Sequence, residues 1–440
     1  MTSARFASWG RHMRSDAQHM VMRSREAELP LPADASMPLL PYGMGRSYGD
    51  SCLNNGGVLL DNSSLNHFIS FDDETGILSC ESGVSLADIL SLVVPRGWFL
   101  PVTPGTRFVS VGGAIANDVH GKNHHRAGTF GCYVRSFELL RSDGSRLQCS
   151  SESNSDLYAA TIGGLGLTGM ITRAEIQLKP IVNPYLQEET LRFNSLDEFF
   201  LLNRDSESNY EYTVAWIDCV AKGSSLGRGA FYRANHHGSA SPQQRPAAPK
   251  STITFPFTPP LSMVNKLTLK AFNSAYFRMQ PGRRSRTVHY RPFFYPLDSI
   301  LHWNRMYGPK GMLQYQCVVP EEEGKEVFRD MLQSISDSGS GSFLAVLKMF
   351  GDKPSPGMLS FPRPGITLAL DFPNSPATFK LLDRLDAMTA EVGGRVYPAK
   401  DARMSSESFQ AYYPEWEAFS EFIDPRFSSG FWRRVTGAVR

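Results

Sequence analysis

The chain has 440 residues, 41% of them hydrophobic, with 45 Lys and Arg against 43 Asp and Glu. That length accommodates two or three domains of about 150 residues, and a net charge of +2 without a dominant basic cluster argues against nucleic acid as a main partner. Six cysteines without a CxxC or dense spacing fit reduced thiols in a cytosolic compartment, and no apolar run approaches the roughly 20 residues of a spanning helix or forms a signal core.

In chain order, the first distinctive stretch is PYGMGRSYGD, Pro41 to Asp50, which follows the short apolar run Met37 to Leu40. Its glycine N–H groups, with Arg46 and Ser47 beside them, suit a phosphate. Gly76 to Gly83 reads as a strand, and Leu86 to Val94 as a short helix ending before Pro95. Val109 and Val111 then predict a strand that ends at Gly112 and Gly113, where N–H groups come free to cradle an anion or a ring edge.

HGKNHH, His120 to His125, places histidines at i, i+4 and i+5. A zinc site of that spacing needs a continuous helix and a glutamate beside the first histidine, whereas Gly121 breaks the helix and Lys122 repels a cation. No metal is expected, which leaves a solvated loop or a cofactor pocket.

Phe137 to Cys149 reads as a hairpin around Asp143-Gly144. GGLGLTGM contains a literal GxGxxG at Gly164, Gly166 and Gly169, but the helix-like SDLYAATIG precedes it and the strand-like MITRAEIQL follows it. A dinucleotide fingerprint requires the reverse order, so a Rossmann site is not expected. Three separated glycine-rich loops in one half of the chain suggest instead a long ligand held along its length, with Arg46 on its charged centre, and FAD fits that description.

Farther on, the polar, Pro-rich Arg233 to Thr252 reads as a mobile surface loop. Thr252 to Tyr295 mixes Phe255, Phe257, Leu261, Leu267, Phe272, Tyr276 and Phe277 with Arg283, Arg284, Arg286 and Arg291. One reading is an ordinary core helix followed by a basic turn. The other is a mobile lid, over 255–291, for a lipid-phosphate substrate, its arginines meeting the phosphate or an anionic bilayer.

The chain resembles the vanillyl-alcohol-oxidase type of FAD-linked oxidoreductases, and within it the decaprenylphosphoryl-β-D-ribose 2-oxidases. The similarity rests on GRSYGD at Gly45, HGKNHH at His120, GGLGLTG at Gly163, AWIDCV around Trp216 and YGPKGMLQYQCVVP from Tyr307. It continues in FLAVLKMFG ending at Gly351, LSFPRPG from Leu359 and YPAKDAR from Tyr397. The fold so implied is α+β and two-domain: a discontinuous PCMH-type FAD-binding domain at 1–184 and 395–440, and an antiparallel-sheet substrate domain at 185–394. One departure is Glu28 to Pro41, whose four prolines predict an irregular segment where the family has a longer helix.

The resemblance also assigns residues. FAD would lie against Gly45, Arg46, Ser47, Tyr48, Gly49, Pro104, Gly105, Thr106, Gly112, Gly113, Asn117, His120, Gly121, Asn123, Gly169, Ile171 and Lys400. Arg46 stands where many relatives carry the histidine that bonds the flavin, so the FAD is expected to be non-covalent. Catalysis would fall to Lys400, at the pyrimidine edge of the flavin, with Tyr48, His120 and Lys122 around the reacting hydroxyl. Substrate would meet Lys122, Trp216, Tyr295, Gln316, Lys348 and Thr367. Mycobacterial members carry an Asn and a Cys where this chain has Thr367 and Ala369, so Thr367 offers one short polar arm to the sugar and Ala369 removes a thiol.

The implied activity is oxidation of the 2-hydroxyl of a polyprenyl-phosphoryl ribose, the first half of an epimerisation to the arabinose form used in cell-wall arabinan. A separate NAD(P)H-dependent short-chain reductase would complete it. The expected location is cytoplasmic, with peripheral contact to the inner face of the plasma membrane. Two rivals are a flavoenzyme acting on a soluble alditol or aldonolactone, and a non-catalytic flavin-fold scaffold, against which Lys122 and Lys400 both speak. Oxygen and a membrane quinone both stay open as electron acceptor.

Overall fold

The computed structural model describes residues 3–239 and 252–437. Most of the Arg233 to Thr252 segment therefore lies outside the described residues, but its first residues do not. Arg233 sits within the strand Gly229–His236, buried and paired with Glu189 and Asp205.

Three sheets organise the α+β chain. A four-stranded sheet runs Ser3–Ala7, Arg14–Val21, Val58–Asp61, Leu39–Tyr42 in spatial order. The first pair is antiparallel and the other two are parallel. An antiparallel five-stranded sheet follows, in the order Phe68–Phe71, Ile77–Glu81, Met170–Gln177, Val134–Leu140, Arg146–Ser150. The third is antiparallel and eight-stranded: Arg283–His289, Tyr185–Phe193, Gly229–His236, Tyr212–Ile217, Val346–Phe350, Gly365–Pro373, Met312–Val319 and Arg395–Val396.

Several local expectations are met. Ile77–Glu81 is a strand, Leu86–Val93 a helix, and Val134–Leu140 pairs with Arg146–Ser150 as a hairpin. The helix Ser155–Thr161 precedes the last glycine loop and the strand Met170–Gln177 follows it. Between Val21 and Leu39 there is neither helix nor strand, as the prolines of that segment dictate.

Two expectations are corrected. Val111–Ala116 is a helix, not the end of a strand: Ser110 caps it by accepting the N–H of Gly113, and the N–H of Gly112 goes to the Ser82 carbonyl. A Cβ at Gly112 would stand 3.1 Å from the Ser82 Cβ, so this glycine serves close packing rather than a free anion cradle. The stretch 255–291, read as a mobile lid or as a core helix followed by a basic turn, contains the helix Lys266–Met279, and the basic segment after it is the edge strand Arg283–His289, not a turn. The Asn265–Thr268 capping box starts that helix locally, independently of any lid function.

The eight-stranded sheet positions the site through its period of two. Leu313, Tyr315, Cys317 and Val319, with Ile366, Leu368, Leu370 and Phe372, pack in one buried cluster with Phe328, Met331, Leu332, Leu381 and Leu385 of the helices Glu321–Ser338 and Pro376–Glu391. The alternate residues Gln314, Gln316, Ala369 and Asp371 therefore point the other way, into a large cavity.

Candidate active site

That cavity, of about 740 Å³, runs between the sheet and the three glycine-rich loops. Each loop is fixed from behind. Trp9 N–H donates to the Ser47 carbonyl and Tyr48 N–H to Ala399, tying the first loop to the AKD segment. A Cβ on Gly49 would fall 1.6 Å from the Asp401 carbonyl oxygen, so only glycine lets these segments touch. In the second loop the Thr103 hydroxyl meets the Tyr295 hydroxyl at 2.6 Å, and Arg107 N–H donates to Asp298. In the third, Gly163 and Leu165 donate to the carbonyls of Ile115 and Ala116.

What these ties leave free is the basis for ligand binding. Among the described residues, the backbone N–H groups of 43–47, and those of Gly105 and Thr106, have no partner in the protein. A run of unspent amides beside a cationic side chain is what a pyrophosphate needs. Arg46 is held for that purpose, its Nε donating to the Phe108 carbonyl and its guanidinium stacked 4.2 Å from the Trp9 ring centroid. The loops thus fit a dinucleotide.

At the sheet end the cavity collects buried cations. Lys122 donates to the Phe293 carbonyl, and Lys348 to the Gly121 carbonyl at 3.3 Å. Lys400 stands over the Tyr48 ring, 4.1 Å from its centroid, and its Nζ has no hydrogen-bond or carboxylate partner among the described residues. Burial pulls the Lys122 ammonium down to about 8, with Glu188 opposing, and Lys400 down to about 8, with Asp371 opposing. Lys348, buried and next to both other lysines, falls to about 7. Clustered lysines without carboxylates in contact leave positive charge that an anionic ligand would stabilise.

His120 completes this end. Its Nε2 lies 2.9 Å from the Gln316 amide nitrogen, which donates to it, and Phe350, Phe361 and Tyr397 enclose the ring. Burial first, then Lys348, His124 and Lys400, hold its pKa well below the ordinary value, so the imidazole is neutral. Because Nε2 accepts from Gln316, the neutral ring carries its proton on Nδ1, which has no partner among the described residues and can donate to a ligand oxygen.

Of the residues expected from sequence, Gly45, Arg46, Ser47, Tyr48, Pro104, Gly105, Thr106, Gly112, Gly113, Asn117, His120, Gly121, Lys122, Gly169, Ile171, Trp216, Gln316, Lys348 and Lys400 all line the cavity. Four do not line it. Gly49 packs on Asp401, as above. Asn123 is turned inward, donating to the Pro101 carbonyl at 2.8 Å. Tyr295 lies behind the second loop and acts through Thr103. Thr367 is buried, paired across the strands with Val318 and Lys348, and Val318 belongs to the apolar cluster of Phe350, Phe361, Tyr397 and Ala399 that closes that end of the sheet. Its hydroxyl has no partner in the protein.

Sequence reasoning missed Asp371. It lines the cavity two residues beyond Ala369, so strand alternation from Thr367 and Ala369 would have found it. Burial pushes its carboxyl up to about 7, opposed by the Gln314 amide donating at 2.7 Å and by Lys400. Trp9, Gln314 and Asp298 were missed too, because no local pattern marks them. Among the described residues no group of three His, Cys, Asp or Glu is arranged to hold a metal.

Comparison with known proteins agrees with this geometry. An FAD binding domain model matches residues 27–150. The chain is 38% identical to the decaprenylphosphoryl-beta-D-ribose oxidase of Mycolicibacterium smegmatis over 99% of this chain and 98% of that protein. It is 34% identical to an uncharacterised protein of Streptomyces coelicolor over 80% of this chain and all of that one. A shorter match, 31% over 117 residues, links 27% of this chain to 23% of human Delta(24)-sterol reductase. With the amides, the glycine loops and the buried lysines in place, the chain belongs to the decaprenylphosphoryl-β-D-ribose oxidase family of FAD-dependent oxidoreductases, within the vanillyl-alcohol-oxidase fold.

Proposed function

We propose that this enzyme oxidises the 2-hydroxyl of a polyprenyl-phosphoryl-β-D-ribose to the 2-keto sugar, the first half of epimerisation to an arabinose donor. The observation that carries this reading is the group of three buried lysines, none in contact with a carboxylate, at the end of a cavity that also has apolar and aromatic walls. Such a cavity suits one ligand with a sugar, an anionic phosphate and a hydrocarbon chain. An NAD(P)H-dependent short-chain reductase would complete the conversion, and the enzyme would work as a peripheral protein at the inner face of the plasma membrane.

In this reading the FAD-binding domain comprises 1–184 and 395–440 and the substrate domain 185–394. FAD, bound without a covalent link, supplies the hydride acceptor. Residues 43–47, Gly105 and Thr106 hold its pyrophosphate through their free amides. Lys400, held over Tyr48, presents positive charge to the flavin's pyrimidine edge. His120, kept neutral by burial and its lysine neighbours and fixed at Nε2 by Gln316, orients the reacting hydroxyl through Nδ1–H, and a buried lysine of lowered pKa takes the hydroxyl proton. Lys122 and Lys348 bind the phosphate and sugar hydroxyls, while Trp216, anchored by its N–H to the Phe343 carbonyl at 2.9 Å, forms an apolar wall.

An anaerobic visible spectrum before and after a short-chain polyprenyl-phosphoryl ribose tests the reading. Bleaching of the flavin band is the expected result. A band that stays oxidised with this substrate but bleaches with alditols or aldonolactones would replace it with the soluble-substrate reading. Acid precipitation should release all yellow colour, and colour retained in the pellet would refute non-covalent binding.

A further inference from the structure

The helix Lys266–Met279 is apolar on the side it buries and on the side it exposes. Leu269, Asn273 and Phe277 face inward, whereas Leu267, Ala271, Ala275 and Met279, spaced every four residues, face out. Leu267 is 79% exposed and Met279 76%. The segment leading into the helix repeats the pattern, with Ile253 69%, Phe257 64% and Leu261 79% exposed. Large apolar side chains grouped this way on a surface mark an interaction face.

The charge of this region has one sign. From 219 through 297 the sequence contains no Asp or Glu and twelve Lys and Arg. In the described part, Arg283 and Arg286 of the edge strand are neutralised by Glu189 and Glu188 of the neighbouring strand. Lys266, Lys270, Arg278 and Arg284 have no carboxylate partner among the described residues. The same region borders the cavity: Tyr276, Met279, Gln280, Arg284 and Arg286 line it, as do Ile300 and Leu301 of the short strand that pairs with Ile253 and Thr254.

We propose that this face, comprising the exposed side of Lys266–Met279 and the segment 253–263, docks on an anionic phospholipid bilayer, with the cavity opening beside it. Charge complementarity selects that occupant. Apolar side chains enter the acyl boundary while unpaired lysines and arginines meet lipid phosphates, the arrangement of an interfacial amphipathic helix. A polyprenyl-linked substrate would then pass from bilayer to cavity without its chain crossing water. That last consequence rests on the proposed substrate, whereas the docking itself does not.

The test is flotation of the FAD-loaded enzyme with vesicles of phosphatidylcholine containing or lacking phosphatidylglycerol. Binding is expected with phosphatidylglycerol only, weakening with salt. Each charge reversed among Lys266→Glu, Lys270→Glu and Arg278→Glu should weaken it about fivefold or more, and the pair Leu261→Glu and Leu267→Glu about tenfold. Unchanged flavin absorbance and melting temperature certify folding of each variant. Equal binding to neutral vesicles, no binding, or variants that bind like the parent would overturn the proposal. So would a dimer in analytical ultracentrifugation that the leucine variants dissociate without loss of vesicle binding, since the face would then serve a second copy of the chain. Oxidation of the short-chain substrate, measured without vesicles, keeps the two readings apart. Vesicle binding without oxidation removes the proposed substrate and leaves the docking surface, and oxidation without vesicle binding does the reverse.

Discussion

Lys400 and Asp401 are neighbours in the chain and opposites in environment. Asp401 accepts from the N–H groups of Arg403 and Met404 and from Arg434, which also grips both oxygens of Asp50. Arg403 in turn binds Asp383 and Asp386. Every charge in that hub is met by another. Lys400 faces the cavity with no hydrogen-bonding partner in the described protein, and Lys122 and Lys348 have only carbonyls. Both regions bury charge. The hub satisfies it internally and so holds the C-terminal segment to the first glycine loop, while the cavity leaves it unsatisfied and so can bind.

The sharpest way to break this contrast is on the hub. Arg434→Ala leaves Asp50 and Asp401 buried without their cation, and unfolding by denaturant should show a loss of about 3–5 kcal/mol. A variant of parental stability but impaired turnover would erase the distinction between the two regions. Next in size, Lys400→Met should leave the fold at least as stable, since burial disfavours this ammonium too, while slowing flavin reduction by substrate about 10²–10³-fold in stopped-flow; a variant that reduces its flavin at the parental rate would remove Lys400 from the chemistry.

Asp371→Asn sharpens the comparison within the cavity. Burial lowers the Lys400 pKa to about 8 even though Asp371 acts to raise it. Lys400 is useful protonated, so the flavin reduction rate should fall as pH rises through that value. Without the carboxylate the Lys400 pKa drops further, and this alkaline limb should move to lower pH. A limb that stays put, or moves up, would show that the two side chains do not interact.

A last effect concerns stability. Lys348 has a folded pKa of about 7 against 10.5 unfolded, so the unfolded chain binds the extra proton between those values. The destabilisation is full below about pH 7 and fades as pH rises toward 10.5. Lys348→Met should therefore raise the melting temperature of the FAD-free protein at pH 7, by about 2–4 °C for each kcal/mol regained, and the gain should shrink at alkaline pH. A gain independent of pH would assign it to packing.

Much of the site was legible because its parts are local. The glycine clusters, HGKNHH and AKD each occupy one short segment, and their side chains or amides do line one cavity. Helix and strand order around GGLGLTGM was readable from periodicity, which ruled against a Rossmann reading. Where reading failed, a distant contact decided. Val109 and Val111 suggested a strand until the Ser110 cap and the Ser82 carbonyl are known. Thr367, Ala369 and Asp371 share a strand face, yet Thr367 is buried outside the cavity lining while Asp371 opens to the cavity. Arg233 looked like the start of a loop because its partners, Glu189 and Asp205, stand on other elements.

The amino-acid sequence by itself determined the chemistry available to this protein: glycine clusters whose backbone can approach a ligand, the lysines Lys122, Lys348 and Lys400, and a long acid-free stretch rich in apolar residues. Propensity, periodicity and charge act over a few residues, so these features are written where they occur. Tertiary structure decided which of them meet. Closing the long chain segments between them places Lys122, Lys348 and Lys400 around one cavity, and the low dielectric of that burial turns ordinary lysines into poised ones. It also decided which expected residues line the cavity and which stand behind it, because exposure depends on what the rest of the chain packs against them.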